Sequence, residues 1–334
     1  MIALVVDAAP RWRRTVSILL VVLGIASGQA QAAISKDSDA GGPAGVYVEL
    51  AGQYVGSVFK ASGGYPVAEV VEQHLGAEAS TKKHVATLKK PSLNIEFGAG
   101  MTPSWYEWVA GAVAGNQQPR DMAVVRVNSM GSIIDRLVIR EALITTVELP
   151  AFSRASKDYV AFKVAIVGAS SFRQKLKGKG PAPWGSRIER RPTLDMFRLE
   201  LGDLPTDAVT GVALPTASVQ LSTAEVGAFR EASMSVGRRS IGNLVLTLPY
   251  ASQAEPYFAW MQSFLIEGKT NDSEELQGSL VMLGADASTE LARVDFSNVG
   301  LVGLDPVVGE STAPPSIRVE LYVEEMTVDF SGLR

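Results

Sequence analysis

The sequence predicts a mainly β chain with some α: two tandem antiparallel β-barrel or β-sandwich units, each carrying one short amphipathic helix. Three observations carry that reading. Short runs with period-two alternation recur through both halves, which buries one strand face and wets the other. Each half holds one aromatic-rich segment with helical spacing. The order strand, helix, further strands is the same in both, with the helices at a constant separation: Trp105 to Tyr257 and Trp108 to Trp260.

Taken along the chain, residues 1–32 read as a secretion signal. Arg11, Arg13 and Arg14 make a basic start, Val16 to Ala26 an apolar run, and Ala30-Gln31-Ala32 the small residues a signal peptidase accepts, with cleavage expected after Ala32. The run is shorter than the roughly 20 apolar residues that span a bilayer, so no membrane span is expected after cleavage. Removing residues 1–32 takes away three arginines and one aspartate and leaves the rest two charges more negative than the −4 of the whole chain. Neither charge suggests a specific nucleic-acid ligand. With 46% hydrophobic and 20% charged residues the chain can build a core. It has no cysteine, which rules out disulfides, a thiol nucleophile, iron–sulfur clusters and cysteine-ligated zinc.

Residues 33–45 read as a flexible leader, 46–172 as the first unit, 173–196 as a basic Gly/Pro linker and 197–330 as the second unit. In the first unit Ser92–Gly98 is an expected strand. The helix after it places Trp105, Trp108, Val109, Ala112 and Val113 on one face; in the second, Tyr257, Trp260, Met261, Phe264 and Leu265 take the same offsets. Ser104 with Glu107 and Ser252 with Glu255 fit a capping box; Thr102 followed by Pro103 is an equally good start for the first helix. Gly115 and Gly268 close the helices. Two β-rich runs follow each helix, turning at Asn128-Ser-Met-Gly131 in one half and Gly284-Ala-Asp286 in the other. Pro150 and Pro306 are expected to end the equivalent segments. Each unit closes on an alternating strand, with Phe162, Val164 and Ile166 inward in the first, and Ile317, Val319, Leu321 and Val323 in the second.

Catalytic motifs are scarce. P-loop, GxGxxG, GxSxG and HExxH patterns are missing, and the two histidines, His74 and His84, flank a small-residue loop near Glu72. The carboxylate pairs Asp135/Glu141 and Glu274/Glu275 carry nothing that separates them from surface charge. The expectation is no enzyme, no catalytic residue, no cofactor and no metal. Trp105, Trp108 and Trp260 read as core, and Trp184 in the linker as a candidate exposed contact. Asn271-Asp272-Ser273 matches an N-glycosylation pattern, discounted because the signal has a bacterial look.

One stretch adds more. Gly45 to Val71 has a strand, a Gly-centred turn and a strand ending in a Gly-Gly step; Leu93 to Val109 is a strand leading into the Trp helix. Ala142 to Val167 (ALITTVELPAFSRASKDYVAFKVAIV) is a hairpin with Pro150 and a Ser156-Lys157-Asp158 turn. Together these resemble the phage tail-tube protein family, contractile-tail type, in its bacterial chromosomal members. The second unit matches in layout, with GESTAPPS where the first has SRASKD. The resemblance implies structural roles for Trp105, Trp108, Pro150, Ser156, Lys157 and Asp158, with Tyr257 and Trp260 as the second helix core. It implies barrels that join into six-membered rings stacking into tubes. A tandem chain would complete such a ring as a homo-trimer. The expected function is therefore a structural, self-assembling protein, exported to the periplasm or cell exterior. The alternative is a monomeric exported β-barrel module that recognises a carbohydrate or protein through its loops.

Overall fold

The computed structural model describes residues 43–74, 81–176, 178–180, 192–224, 233–307 and 315–333. The secretion signal, most of the leader, Trp184 and most of the GESTAPPS turn lie outside these residues. The first half contains β1 (Pro43–Leu50), β2 (Gln53–Val58), β3 (Lys60–Gly63), β4 (Val67–His74), β5 (Thr81–Lys89), β6 (Leu93–Phe97), α1 (Pro103–Ala114), β7 (Arg120–Asn128), β8 (Ile133–Glu148), β9 (Ala151–Ser153), β10 (Phe162–Val167) and β11 (Ser170–Gln174). The second contains β12 (Phe197–Leu201), β13 (Gly211–Ala213), β14 (Ala217–Ala224), β15 (Ser233–Ile241), β16 (Leu244–Pro249), α2 (Glu255–Met261), β17 (Leu276–Leu283), β18 (Glu290–Val307) and β19 (Ser316–Asp329).

The fold is mainly β, and all the strand pairs are antiparallel. In the first half the sheet runs β2-β1-β7-β8-β10-β6-β3; in the second it runs β12-β17-β18-β19-β16-β13. In chain position these are the same order: an early strand, the two strands after the helix, the closing strand, the strand before the helix, and a short strand. The first sheet closes on itself. β2 and β3 are separated by Phe59 alone, β2 pairs with β1, and β3 pairs with β6. The second stays open, because a loop and not a strand joins β12 to β13. A β-hairpin arm leaves each sheet before its pre-helix strand: β4–β5 in the first half, β14–β15 in the second.

Alternation explains the strands. Phe162, Val164 and Ile166 are buried, as are Ile317, Val319, Leu321 and Val323. β19 runs without a break where the first half has β10 and β11. Between those two, Gly168 lies so close to Ile139 and the Arg140 carbonyl that a Cβ there would clash.

The helices differ more than their spacing predicts. In α1 all five face residues are buried, and Trp105 meets Phe97 edge-on with ring centroids 5.4 Å apart. Burying a side chain of that size contributes on the order of 2 kcal/mol. α1 starts at Thr102 with Pro103 in its first turn and no side-chain cap, and ends on Gly115 at φ 78°. The Ser104–Glu107 box is not used. Ser252 lies in a 3-10 turn, and α2 begins at Glu255 behind Ala254, so the second box is also absent. α2 then passes into a π-helical turn at Gln262–Ile266. The wider turn changes which side chains face inward. Tyr257 and Phe264 are buried, Trp260 and Met261 half-buried, and Leu265 exposed.

Two boundaries also move. β1 begins at Pro43, inside the expected leader, and β11 carries the expected linker's Arg173 into the first sheet. Pro306 does not end its strand, since β18 pairs with β19 through Val307. β17 has stopped opposite Val299, so the proline sits where β18 is already a sheet edge on that side.

Candidate assembly interface

The two halves join through strand edges. β7 leaves β8 at Ala142, and the last part of β8 would be bare on that side. Two groups cover it. Gln117, buried after α1, donates from Nε2 to the Ile144 carbonyl (2.6 Å) and accepts at Oε1 from the Ile144 N–H (2.9 Å). Further along, β14 from the second half pairs with β8, Ala217 opposite Val147 and Ser218 opposite Thr146. A second ladder runs between β9 and β13, Phe152 opposite Val212. Arg239 on the β15 arm donates to the Val113 carbonyl at the end of α1 (3.1 Å), where a cation meets the helix's unpaired carbonyls.

The loop after β8 docks on the second half as well. Pro150 is buried between β8 and β9. Ser156 Oγ lies 3.1 Å from Asp158 Oδ2 and accepts from the Asp158 N–H, which shapes the turn. Lys157 pairs with Asp195, the Asp158 carbonyl accepts from Leu194 N–H (3.0 Å), and the Arg154 guanidinium stacks 3.9 Å over the Phe197 ring. The Lys157 ammonium, by its hydrogen bond, holds the Asp195 carboxyl below its ordinary pKa. Sequence reasoning singled out the turn but not its partner. Asp195 is distant in sequence and carries no local signal.

The candidate carboxylates have structural partners. Asp135 accepts from Arg173 Nε (2.5 Å), Arg126 Nη1 (2.9 Å) and Tyr65 Oη (2.7 Å). Burial alone would raise its pKa. The hydrogen bonds from Arg173 and Tyr65 and the Arg173 and Arg126 charges outweigh that and hold it below the ordinary value. Glu141 sits at a left-handed backbone position (φ 48°), its N–H donating to Asp121. Glu275 accepts from Tyr322 Oη at 2.6 Å; burial first, then this bond, pushes the Tyr322 phenol up to about 12. Glu72 meets Lys83 at 2.6 Å on the β4–β5 arm, where His84 stands opposite Val71 and His74 opposite Thr81. Among the described residues no group of three or more His, Cys, Asp or Glu could hold a metal ion.

What remains open is the mirror image of the internal junction. The β4–β5 arm forms a two-stranded sheet of its own. Val67, Val70, Val71 and Val85 on it are 50–64% exposed. At the other end of the chain, β18 beyond Val299 has β19 on one side and, among the described residues, no strand on the other. Val302 and Val307 on that stretch, and Leu265 and Ile266 at the end of the π-turn, are exposed. No helix among the described residues is long and apolar enough to cross a membrane.

Several solved structures are similar to this chain at low identity. One is a chain of the sheath–tube complex of an extracellular contractile injection system, PVC, in the extended state; it is 15% identical, with a TM-score of 0.37 over 43% of this chain and 94% of that one. Another belongs to the tube-terminating cap of the anti-feeding prophage (16% identity, TM-score 0.31, 47% of this chain and 97% of that one). A third is Hcp1 from Flavobacterium johnsoniae (13% identity, TM-score 0.26, 41% and 96%). No protein-family model matches the chain, and no curated protein matches it.

Proposed function

We propose that the chain is a structural, non-enzymatic protein that self-associates by β-edge pairing into rings or short tubes, each chain supplying two diverged copies of one tube-type unit. The observation that supports this most directly is the junction between β8 and β14: one half of the chain already completes the sheet of the other. The shared strand order supports reading the halves as copies of one unit. Open strand edges favour pairing with a further chain, and a head-to-tail contact repeats until it closes or becomes a filament. The resemblance of Ala142–Val167 and its flanking segments to tail-tube proteins agrees, and it implies closure at six units, hence three chains. The basic and small-residue pattern of residues 1–32 supports an assembly outside the cytoplasm, in the periplasm or beyond.

The test is the solution mass of residues 33–334 by light scattering behind gel filtration, with negative-stain imaging. Three chains per particle and six-lobed rings are expected. A monomer at every concentration overturns the reading and leaves a borrowed fold whose loops would then be searched for a ligand.

A further inference from the structure

We infer that the contact between chains repeats the contact within the chain: the β4 arm of one copy adds to the bare edge of β18 of another, with Val67 opposite Leu304 and Ala68 opposite Gly303. This rests on the ring reading above and specifies the surface and the register.

The register follows from the ladders. In the first half a row of paired residues crosses the sheet as Ile95, Val164, Val147, and the second half's arm extends it with Ala217. The corresponding row in the second half is Leu246, Val319, Leu304. The ladders around these rows are irregular at matching places. β10–β8 shifts register between Ala165 and Ile166, and β18–β19 shifts between Leu301 and Gly303. Among the described residues the second row stops at Leu304.

The arms correspond in the same way. Ala217, Ser218 and Val219 pair with Ile241, Ser240 and Arg239, and a register shift follows Val219. Val67, Ala68 and Glu69 pair with Lys89, Leu88 and Thr87, and a shift follows Glu69. Val67 therefore stands where Ala217 stands, and Ala68 where Ser218 stands.

Exposure separates the used edge from the unused one. Ala217 is 3% exposed against β8, whereas its counterpart Val67 is 52% exposed. The second helix end is bare in the same sense: Arg239 reaches the last turn of α1, while Leu265 and Ile266 at the matching end are 40% and 68% exposed. A second copy's arm laid on β18 would meet these apolar groups together. Each copy would give one arm and accept one, so the contact is heterologous and propagates. Gln117 already caps Ile144 on β8; the residue at the same offset from the second helix is Lys269, which carries no amide.

The chain has no cysteine, so introduced pairs report without background. Ala68→Cys with Gly303→Cys, treated with a short bis-maleimide, is expected to give covalent species of two and three chains on a denaturing gel. Gly303 has open space where a Cβ would go, and Ala68 is exposed. Thr146→Cys with Ser218→Cys is the internal control and should link within one chain. Species longer than three chains would support the edge and show that the contact propagates without closing. If light scattering shows an oligomer and the control pair links but the 68/303 pair does not, the register is wrong and the ring reading survives. Linking of 68/303 within a single chain also overturns it. A monomer at every concentration removes both. Val67→Lys with Val70→Lys, on exposed positions that leave the core untouched, is expected to shift the oligomer to monomer at least tenfold higher in concentration; unchanged mass would overturn the proposal independently.

Discussion

At the scale of single residues, charged side chains on the first sheet pair with one another across its strands. Asp135 shows it: a nearly buried carboxylate with two guanidinium groups and a phenol on it. Its pKa in the fold lies below the ordinary 3.8. The sign follows: the stabilisation is fully present above the unfolded value and is lost as pH falls through the folded one. Asp135→Asn is expected to lower stability near neutral pH by about 2 kcal/mol, the range of a hydrogen bond to a charged group. In urea melts the gap between variant and native chain should narrow below pH 3.8. An equal gap at pH 3 and pH 7 would assign the loss to something other than the charge. In the sequence Asp135 was one of several acidic residues. Its partner Arg126 follows from hairpin register, but Arg173 falls in the basic linker that the sequence predicts, because nothing local shows that β11 returns to the sheet.

At the scale of elements, the two strands after each helix are alike in length and alternation but not in what finishes them. β8 has Gln117 and β14 on its late edge; among the described residues β18 has no such partner. Gln117→Ala should leave the Ile144 N–H and carbonyl unpaired in a buried place, at a cost of roughly 1–3 kcal/mol. Hydrogen exchange is the direct readout. The Ile144 amide should exchange markedly faster while Val164 and Ile95, in the adjacent ladder, keep their protection; uniform loss across the sheet would mean that the edge is held by something else. The sequence places the helices and strands well because their periods differ, 3.6 against 2. Thr102–Pro103 and Gly115 bound the first helix as expected, but the serine capping boxes and the role of Pro306 are misplaced. Both depend on neighbours: whether a serine caps or lies in a preceding 3-10 turn, and whether a proline's edge is occupied.

At the scale of the molecule, the halves share one core. Phe330, at the end of the chain's last strand, packs at a tilt on Tyr106 of α1 (5.1 Å) and meets Phe162 edge-on (5.4 Å); Phe152 packs on Phe197. Most buried apolar residues of the two halves belong to one connected cluster, with Tyr47, Val125 and Val127 in a smaller second one. Calorimetry of residues 33–334 should therefore show one cooperative transition, and residues 43–176 expressed alone should be poorly soluble, with Phe152 and Phe162 uncovered. Two separated transitions would mean that the halves are independent domains tethered by a linker. The boundary near residue 173 was legible as a change in composition. That the chain crosses it three times, through β9, β14 and Phe330, was not.

The sequence by itself determined the mainly β class, the buried face of the first helix and the inward residues of the closing strands. These follow from short-range periodicity, which each segment carries alone. Tertiary structure decided which edges are occupied and which are left open. Edge occupancy is a relation between strands far apart in the chain, set by backbone hydrogen bonds that any side chain permits. Ala217 on β14 and Val67 on β4 sit in similar local patterns; one is buried against β8 and the other faces solvent, and nothing within either arm distinguishes them.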